Sequence, residues 1–151
     1  MSFDSETPRQ RLGGLIGRTG RQWRRALDLR LQPFDLTEAA WLPLLQLSRA
    51  DEPMRQKDLA AALALDKSSV VRVLRSLEEA GLIARGEDAE DHRAKPIVIT
   101  AKGRKLADRV ERMSRELERE LLQQLAPADL ATTRDTLERL SAALERLGGR
   151  E

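Results

Sequence analysis

The stretch RQKDLAAALALDKSSVVRVLRSLEEAG, Arg55 to Gly81, decides the fold. In its first part Leu59, Ala60 and Leu63 take the i, i+1, i+4 spacing that gathers them on one face of a short helix. Ala64-Leu65-Asp66 then forms a turn, and Asp66 is a suitable N-cap for a second helix. In that second helix Val70, Val71, Leu74 and Leu77 form the buried side, and Gly81 supplies the left-handed residue that ends it. Lys67, Ser68, Ser69 and Arg72 remain on the outer face near its start, with Arg75 further along. Two helices so joined make a helix-turn-helix, in which outward residues near the start of the second helix face base edges in the major groove. Arg binds guanine there bidentately, and Ser hydrogen-bonds bases or phosphates.

After Gly81 the hydrophobic period changes from 3.6 to 2. Leu82–Arg85 and Pro96–Thr100 are short β-branched runs, and GEDAEDHRAK between them is too polar to be buried. This predicts a two-stranded wing whose tip carries Asp91, His92, Arg93 and Lys95, placed to reach a neighbouring minor groove. Narrow A·T-rich grooves attract an inserted Arg through their enhanced negative potential. The expected fold is therefore mainly α with a small β-wing, a winged helix-turn-helix, with double-stranded DNA as partner.

On these residues the chain resembles the MarR/SlyA-type bacterial transcriptional regulators. The resemblance is carried by Leu36, Thr37 and Trp41; by Asp58-Leu59-Ala60, Asp66, Ser68, Val71-Arg72, Leu74, Leu77-Glu78, Gly81-Leu82-Ile83 and Arg85; and by Asp91, Arg93-Ala94-Lys95, Ile97, Ile99-Thr100 and Gly103. Upstream, Trp23-Arg24, Asp28, Arg30-Leu31 and Pro33 are similar to the SlyA branch in particular. Two positions depart from the family pattern. Ala64 stands where many relatives have Gly in the turn, and His92 replaces the first Arg of the usual wing tip. The resemblance implies that Asp91 orients Arg93 or pairs with Arg85 to stiffen the wing. The expected DNA-binding set is Lys67, Ser68, Ser69, Arg72, Arg75, Arg85, Asp91, His92, Arg93 and Lys95.

Composition narrows the remaining classes. Charged residues make up 34% and aromatics 3% of 151 residues, a helix-rich and arginine-decorated profile within the length of one domain. The net charge of +2 is small, but its distribution is uneven. From Arg9 to Arg30 seven Arg face one acid, Asp28, whereas from Ala101 to Glu151 eleven basic residues face ten acidic ones. Basic character is thus concentrated where a local surface could use it. There is no cysteine, which excludes disulfides, thiolate metal sites and a thiol oxidation switch. With no apolar signal region, and no run near the roughly 20 apolar residues of a membrane span, a cytoplasmic protein is expected.

One His, no Cys and no phosphate-cradling glycine loop leave no catalytic constellation, so an enzyme is not expected, nor a cofactor. Glu87, Asp88, Glu90, Asp91 and His92 are oxygen-rich, but they lack the spacing of a calcium loop and read as a solvated loop. A winged helix used only as a protein–protein module is the alternative function. An apolar recognition face would favour it, and this one carries Lys, Ser and Arg.

Residues 1–8 are polar and expected to be disordered; residues 9–151 form one domain. A first helix, Arg9 to Leu31, carries Leu12, Leu15, Ile16, Thr19, Trp23, Leu27 and Leu31 on one stripe. Gly13, Gly14, Gly17 and Gly20 either weaken it or let another helix approach closely. Thr37 caps a second helix to about Arg49 with Trp41, Leu42, Leu45 and Leu47. Thr100 caps a long helix with Leu106, Val110, Met113, Leu117 and Leu121, and Pro127 opens another with Leu130, Leu137, Leu140, Leu144 and Leu147. One protomer has few surfaces to cover both stripes, so a homodimer is expected. The resemblance implies that residues 9–35 and 101–147 form the dimerisation region, with 36–100 the winged helix. The tryptophans read as core. For Trp41 the resemblance also implies the wall of an effector pocket for a small aromatic acid or thioester, with Ile16, Gly20 and Leu45, and Arg24 as cation.

Overall fold

The computed structural model describes residues 11–86 and 95–149. The expected N-terminal disorder, and the wing-tip residues Asp91, His92 and Arg93 with the acidic loop beside them, lie outside the described residues. The order of elements is α1 (Leu12–Leu31), a short 3-10 turn (Gln32–Phe34), α2 (Glu38–Arg49), α3 (Gln56–Leu63), α4 (Lys67–Glu79), β1 (Ile83–Arg85), β2 (Ile97–Ile99), α5 (Ala101–Leu122) and α6 (Pro127–Gly148). The backbone divides into two compact units, Met1–Ser114 and Arg115–Glu151.

In α1 only the C-terminal end of the expected stripe is buried, at Leu27 and Leu31, while Leu12, Leu15 and Ile16 are exposed. The chain leaves α1 through the 3-10 turn and Asp35, whose φ of 56° lies in the left-handed region. Thr37 begins α2 as expected, but by its carbonyl, which accepts the N–H groups of Ala40 and Trp41, both at 2.9 Å. Its hydroxyl makes no cap bond. Trp41, Leu44, Leu45 and Leu47 are buried, with Pro43 inside the helix. Pro has no N–H to donate to the preceding turn, so α2 tolerates it at the cost of one ladder bond.

The helix-turn-helix is built by paired end motifs. Asp58 Oδ2 accepts the Arg55 N–H at 3.0 Å where α3 begins. At its end Leu65 N–H donates to Ala60 O (2.9 Å) and Ala64 N–H to Ala61 O (3.2 Å), a Schellman closure with Ala64 at φ 52°. Asp66 then caps α4, accepting the Ser69 N–H at 2.7 Å. The second closure, at the far end of α4, uses Leu82 N–H to Leu77 O and Gly81 N–H to Glu78 O, both 2.9 Å, with Gly81 at φ 73°.

β1 and β2 pair antiparallel with Ile83 opposite Ile99, Ala84 opposite Val98 and Arg85 opposite Ile97. Period-2 alternation buries Ile83 and Ile97 and exposes Ala84 and Val98. Ile97 also donates its N–H to Met54 O at 2.8 Å, so the extended segment before α3 serves as a third edge of the wing. A one-residue pairing leaves no alternation to read, and the sequence did not announce it. Leu44, Leu47, Leu59, Val70, Leu74, Leu77, Leu82, Ile83 and Ile97 form the core of the winged helix.

Thr100 caps α5 through Oγ1, which accepts the Gly103 N–H at 3.1 Å. The face α5 buries is offset from the expected leucine stripe. Gly103, Ala107, Val110, Ser114 and Leu117 are buried, Leu106 and Met113 half-buried, and Leu121 exposed. Small side chains at 103, 107 and 114 permit a close approach that a search for large apolar residues overlooks. In α6 no residue is buried, and Leu144 and Leu147 are each 67% exposed.

Candidate nucleic-acid interface

Helix α4 presents a divided surface. Val70, Leu74 and Leu77 are at most 2% exposed, while Lys67, Ser68, Arg72 and Arg75 lie in solvent on the other side. Ser69 is half-buried, and its backbone N–H is engaged by Asp66. That bond, followed by the Ser69 hydroxyl and the charge of Arg72, holds the Asp66 carboxyl below its ordinary pKa of 3.8. An ionised carboxylate at this place accepts from the first turn of the helix, so Asp66 acts as the cap that fixes the start of α4. No large apolar side chain interrupts the exposed face from Lys67 to Arg75.

Arg85, expected in the DNA-binding set, is engaged within the protein. Its Nε donates to Glu78 Oε1 at 3.0 Å and its Nη2 to Gln56 Oε1 at 3.2 Å, which ties β1 to the end of α4 and the start of α3. Its Nη1 is buried without a partner among the described residues. Lys95 is half-buried at the start of the returning strand. Gln56 was not singled out in the sequence and Glu78 only as part of the family pattern, because a polar residue on a helix gives no periodic signal of a partner 29 or 7 positions away.

The residues expected around an effector are only partly assembled. Trp41 is 1% exposed, and its indole N–H donates to Asp28 Oδ1 at 3.1 Å; Leu45, four residues on in α2, is buried, and Ile16 and Gly20 are exposed on the first half of α1. Arg24 lines a cleft of about 350 Å³ with Arg21, Arg25, Asp28 and Glu38. Trp41 thus reaches the cleft through Asp28. The i, i+3, i+4 spacing of Arg21, Arg24 and Arg25 was available in the sequence as a signal for this cluster. Among the described residues no group of three or more His, Asp or Glu could hold a metal ion, and no helix is long and apolar enough to cross a membrane.

A family model described as MarR family matches residues 34–94, from the turn before α2 past β1. The fold is also that of the transcriptional regulator PA3341, with 35% identity and a TM-score of 0.81 over 89% of this chain and 98% of that one. This chain belongs to the MarR family. Similar structures include Staphylococcus aureus MepR in complex with DNA (28% identity, TM-score 0.73, 87% of this chain and 96% of that one) and CouR of Rhodococcus jostii RHA1 bound to p-coumaroyl-CoA (28%, 0.74, 90% and 95%). As a MarR-family protein the chain is a DNA-binding transcriptional regulator and not an enzyme. The mainly helical fold with a two-stranded wing is the one the sequence implied.

Proposed function

We propose that this MarR-family regulator works as a homodimer on a pseudo-palindromic operator, with α4 of each subunit in successive major grooves about 10 bp apart and the wings on the flanking minor grooves. The exposed face of α4 carries this reading: Lys67, Ser68, Arg72 and Arg75 stand outward around a helix whose opposite side is closed into the core. Ser69 is placed to help through phosphate rather than base contact. Asp91, His92, Arg93 and Lys95 belong to the wing's share of the interface, and Arg85, held by Glu78 and Gln56, orients the wing. The same polar face argues against a purely protein-binding module, which would need apolar anchors there.

Residues 9–35 and 101–147 are assigned to dimerisation and 36–100 to the winged helix. Support comes from the leucines left exposed along α6 and the first half of α1, faces that a second copy would cover. For the effector, the cleft between Arg21, Arg24, Arg25, Asp28 and Glu38 suits an anion, since three guanidinium groups outnumber two carboxylates. An aromatic acid or its CoA thioester fits that charge, and p-coumaroyl-CoA, the ligand of CouR, is a suitable first probe. Trp41 then adjoins the site through Asp28, and Arg24 is its cation.

The recognition helix is tested by two substitutions. Arg72→Ala should cost about 1–3 kcal/mol on the preferred DNA and relax the preference at one base position, whereas Lys67→Ala should weaken all sequences alike and lower the salt dependence by about one charge. Binding titrations on a selected duplex and on random duplex distinguish the two. Equal losses on both DNAs from Arg72→Ala would remove base reading from that residue.

A further inference from the structure

The start of α5 is joined to the end of the DNA-facing helix by three hydrogen bonds. Thr100 N–H donates to Leu82 O at 3.1 Å, Thr100 Oγ1 to Gly81 O at 2.6 Å, and Lys102 Nζ to Ala80 O at 2.9 Å. The carbonyls of residues 80, 81 and 82, the run that follows α4, are thus all taken by the first turn of α5. The two backbones lie so close at this joint that a Cβ on Gly103 would collide with the Leu82 carbonyl and stand 2.9 Å from Ile99 Cγ2. Lys102 also places a cation at the C-terminus of α4, where the helix dipole favours it. Farther along, Arg49 of α2 reaches Glu111 at 3.0 Å and Ser114 at 3.5 Å, so α5 is also tied to the body of the winged helix.

We infer that Lys102 is a positioning residue for DNA recognition: with Thr100 it clamps α4 to α5, so that the direction of α5 sets where α4 meets its half-site. The proposed DNA face of α4 runs from Lys67 at its start to Arg75, and the clamp holds the end beyond it. A small rotation at the clamped end therefore displaces the reading end, and a joint with little play converts the placement of the long helix into a fixed half-site separation. Lys102 does this through a carbonyl of the protein, without touching DNA. The inference rests on the homodimeric reading above, because a separation exists only between two half-sites.

The test compares wild-type protein with Lys102→Met and Lys102→Arg; Met keeps the aliphatic stem and helix propensity and removes the donor. The probes are the duplex that wild-type protein selects from a random-sequence pool, and the same duplex with one base pair inserted between the half-sites. Wild type should discriminate strongly between them. Lys102→Met should lose about two- to five-fold of that discrimination, the scale of one charged group at a helix C-terminus, with the slope of affinity against salt unchanged. Lys102→Arg should retain it. A slope lowered by about one charge in Lys102→Met would make Lys102 a phosphate contact and overturn the proposal. Unaltered discrimination in Lys102→Met would overturn it as well. If wild type itself fails to distinguish the two duplexes, the homodimeric reading falls and the positioning role falls with it; the wild-type measurement alone identifies that case.

Discussion

Asp66 combines two roles that pull in opposite directions. As N-cap it takes the Ser69 N–H at 2.7 Å and fixes the start of α4, yet it places a carboxylate beside Lys67 and Arg72 on the face proposed to meet phosphate. The hydrogen bond to Ser69 and the nearby Arg72 hold its pKa below 3.8, so its ionised form is preferred in the folded protein. Stability from this preference is complete above the unfolded value and is lost as pH falls through the lowered folded value. In urea titrations, the advantage of wild type over Asp66→Asn should be constant near neutrality and shrink as pH drops below 3.8. Asn keeps an acceptor for the cap but does not titrate, so other carboxylates cancel in the difference. An advantage that grew on acidification would contradict the cap assignment. Asp66 was legible in the sequence because capping is local; the Arg85 ties to Gln56 and Glu78 depend on three elements meeting and were not.

At the scale of elements, the two turns around α4 solve the same geometric problem with different residues. Both close as Schellman motifs, one with Ala64 at φ 52° and the other with Gly81 at φ 73°. A left-handed conformation costs a Cβ-bearing residue about 1–2 kcal/mol, part of which Gly gives back through its greater freedom in the unfolded chain. Ala64→Gly should therefore raise stability by about 0.5–1 kcal/mol and Gly81→Ala lower it by a similar amount, read as opposite shifts of the urea midpoint. Nothing lies within 4 Å of a Cβ built on Gly81, so its loss would be conformational alone. Midpoints moving in the same direction would show that side-chain packing, and not φ, governs these turns. The departure of Ala64 from the family pattern was visible in the sequence, and its consequence needed the observed dihedral.

On the scale of the whole molecule, the arginine cleft bordering α1 and the start of α2 is joined to Trp41 by the hydrogen bond of its indole to Asp28. The Trp41 indole is held in the core by its bond to Asp28, and that carboxylate lines the cleft. An anionic ligand among Arg21, Arg24 and Arg25 would compete with Asp28 for their charge and so alter the environment of Trp41. In protein carrying Trp23→Phe, an aromatic acyl thioester should change Trp41 fluorescence and weaken DNA binding by roughly 5–150-fold, a coupling of about 1–3 kcal/mol. Arg24→Ala should diminish both effects together. Replacement of Trp41 is a poor test, since truncating a buried Trp costs about 3–5 kcal/mol of stability. Release of DNA that Arg24→Ala leaves untouched would place the ligand elsewhere.

Local chemistry alone determined the helix-turn-helix, the Asp66 and Thr100 caps, the Gly81 stop and the alternating wing, since each depends on residues within a few positions of one another. The small-residue face of α5, the third wing edge at Met54 and the hold on Arg85 were decided only when distant segments packed together. So was the fate of Trp41, whose position on a helical stripe suits a core and a pocket wall equally. Periodicity records which side of an element turns inward, and it carries no record of what stands opposite. Gly103 illustrates the difference: read alone it is a weak helix residue, and in the fold it is where the backbone of α5 comes against the Leu82 carbonyl and lets Thr100 and Lys102 reach the end of α4.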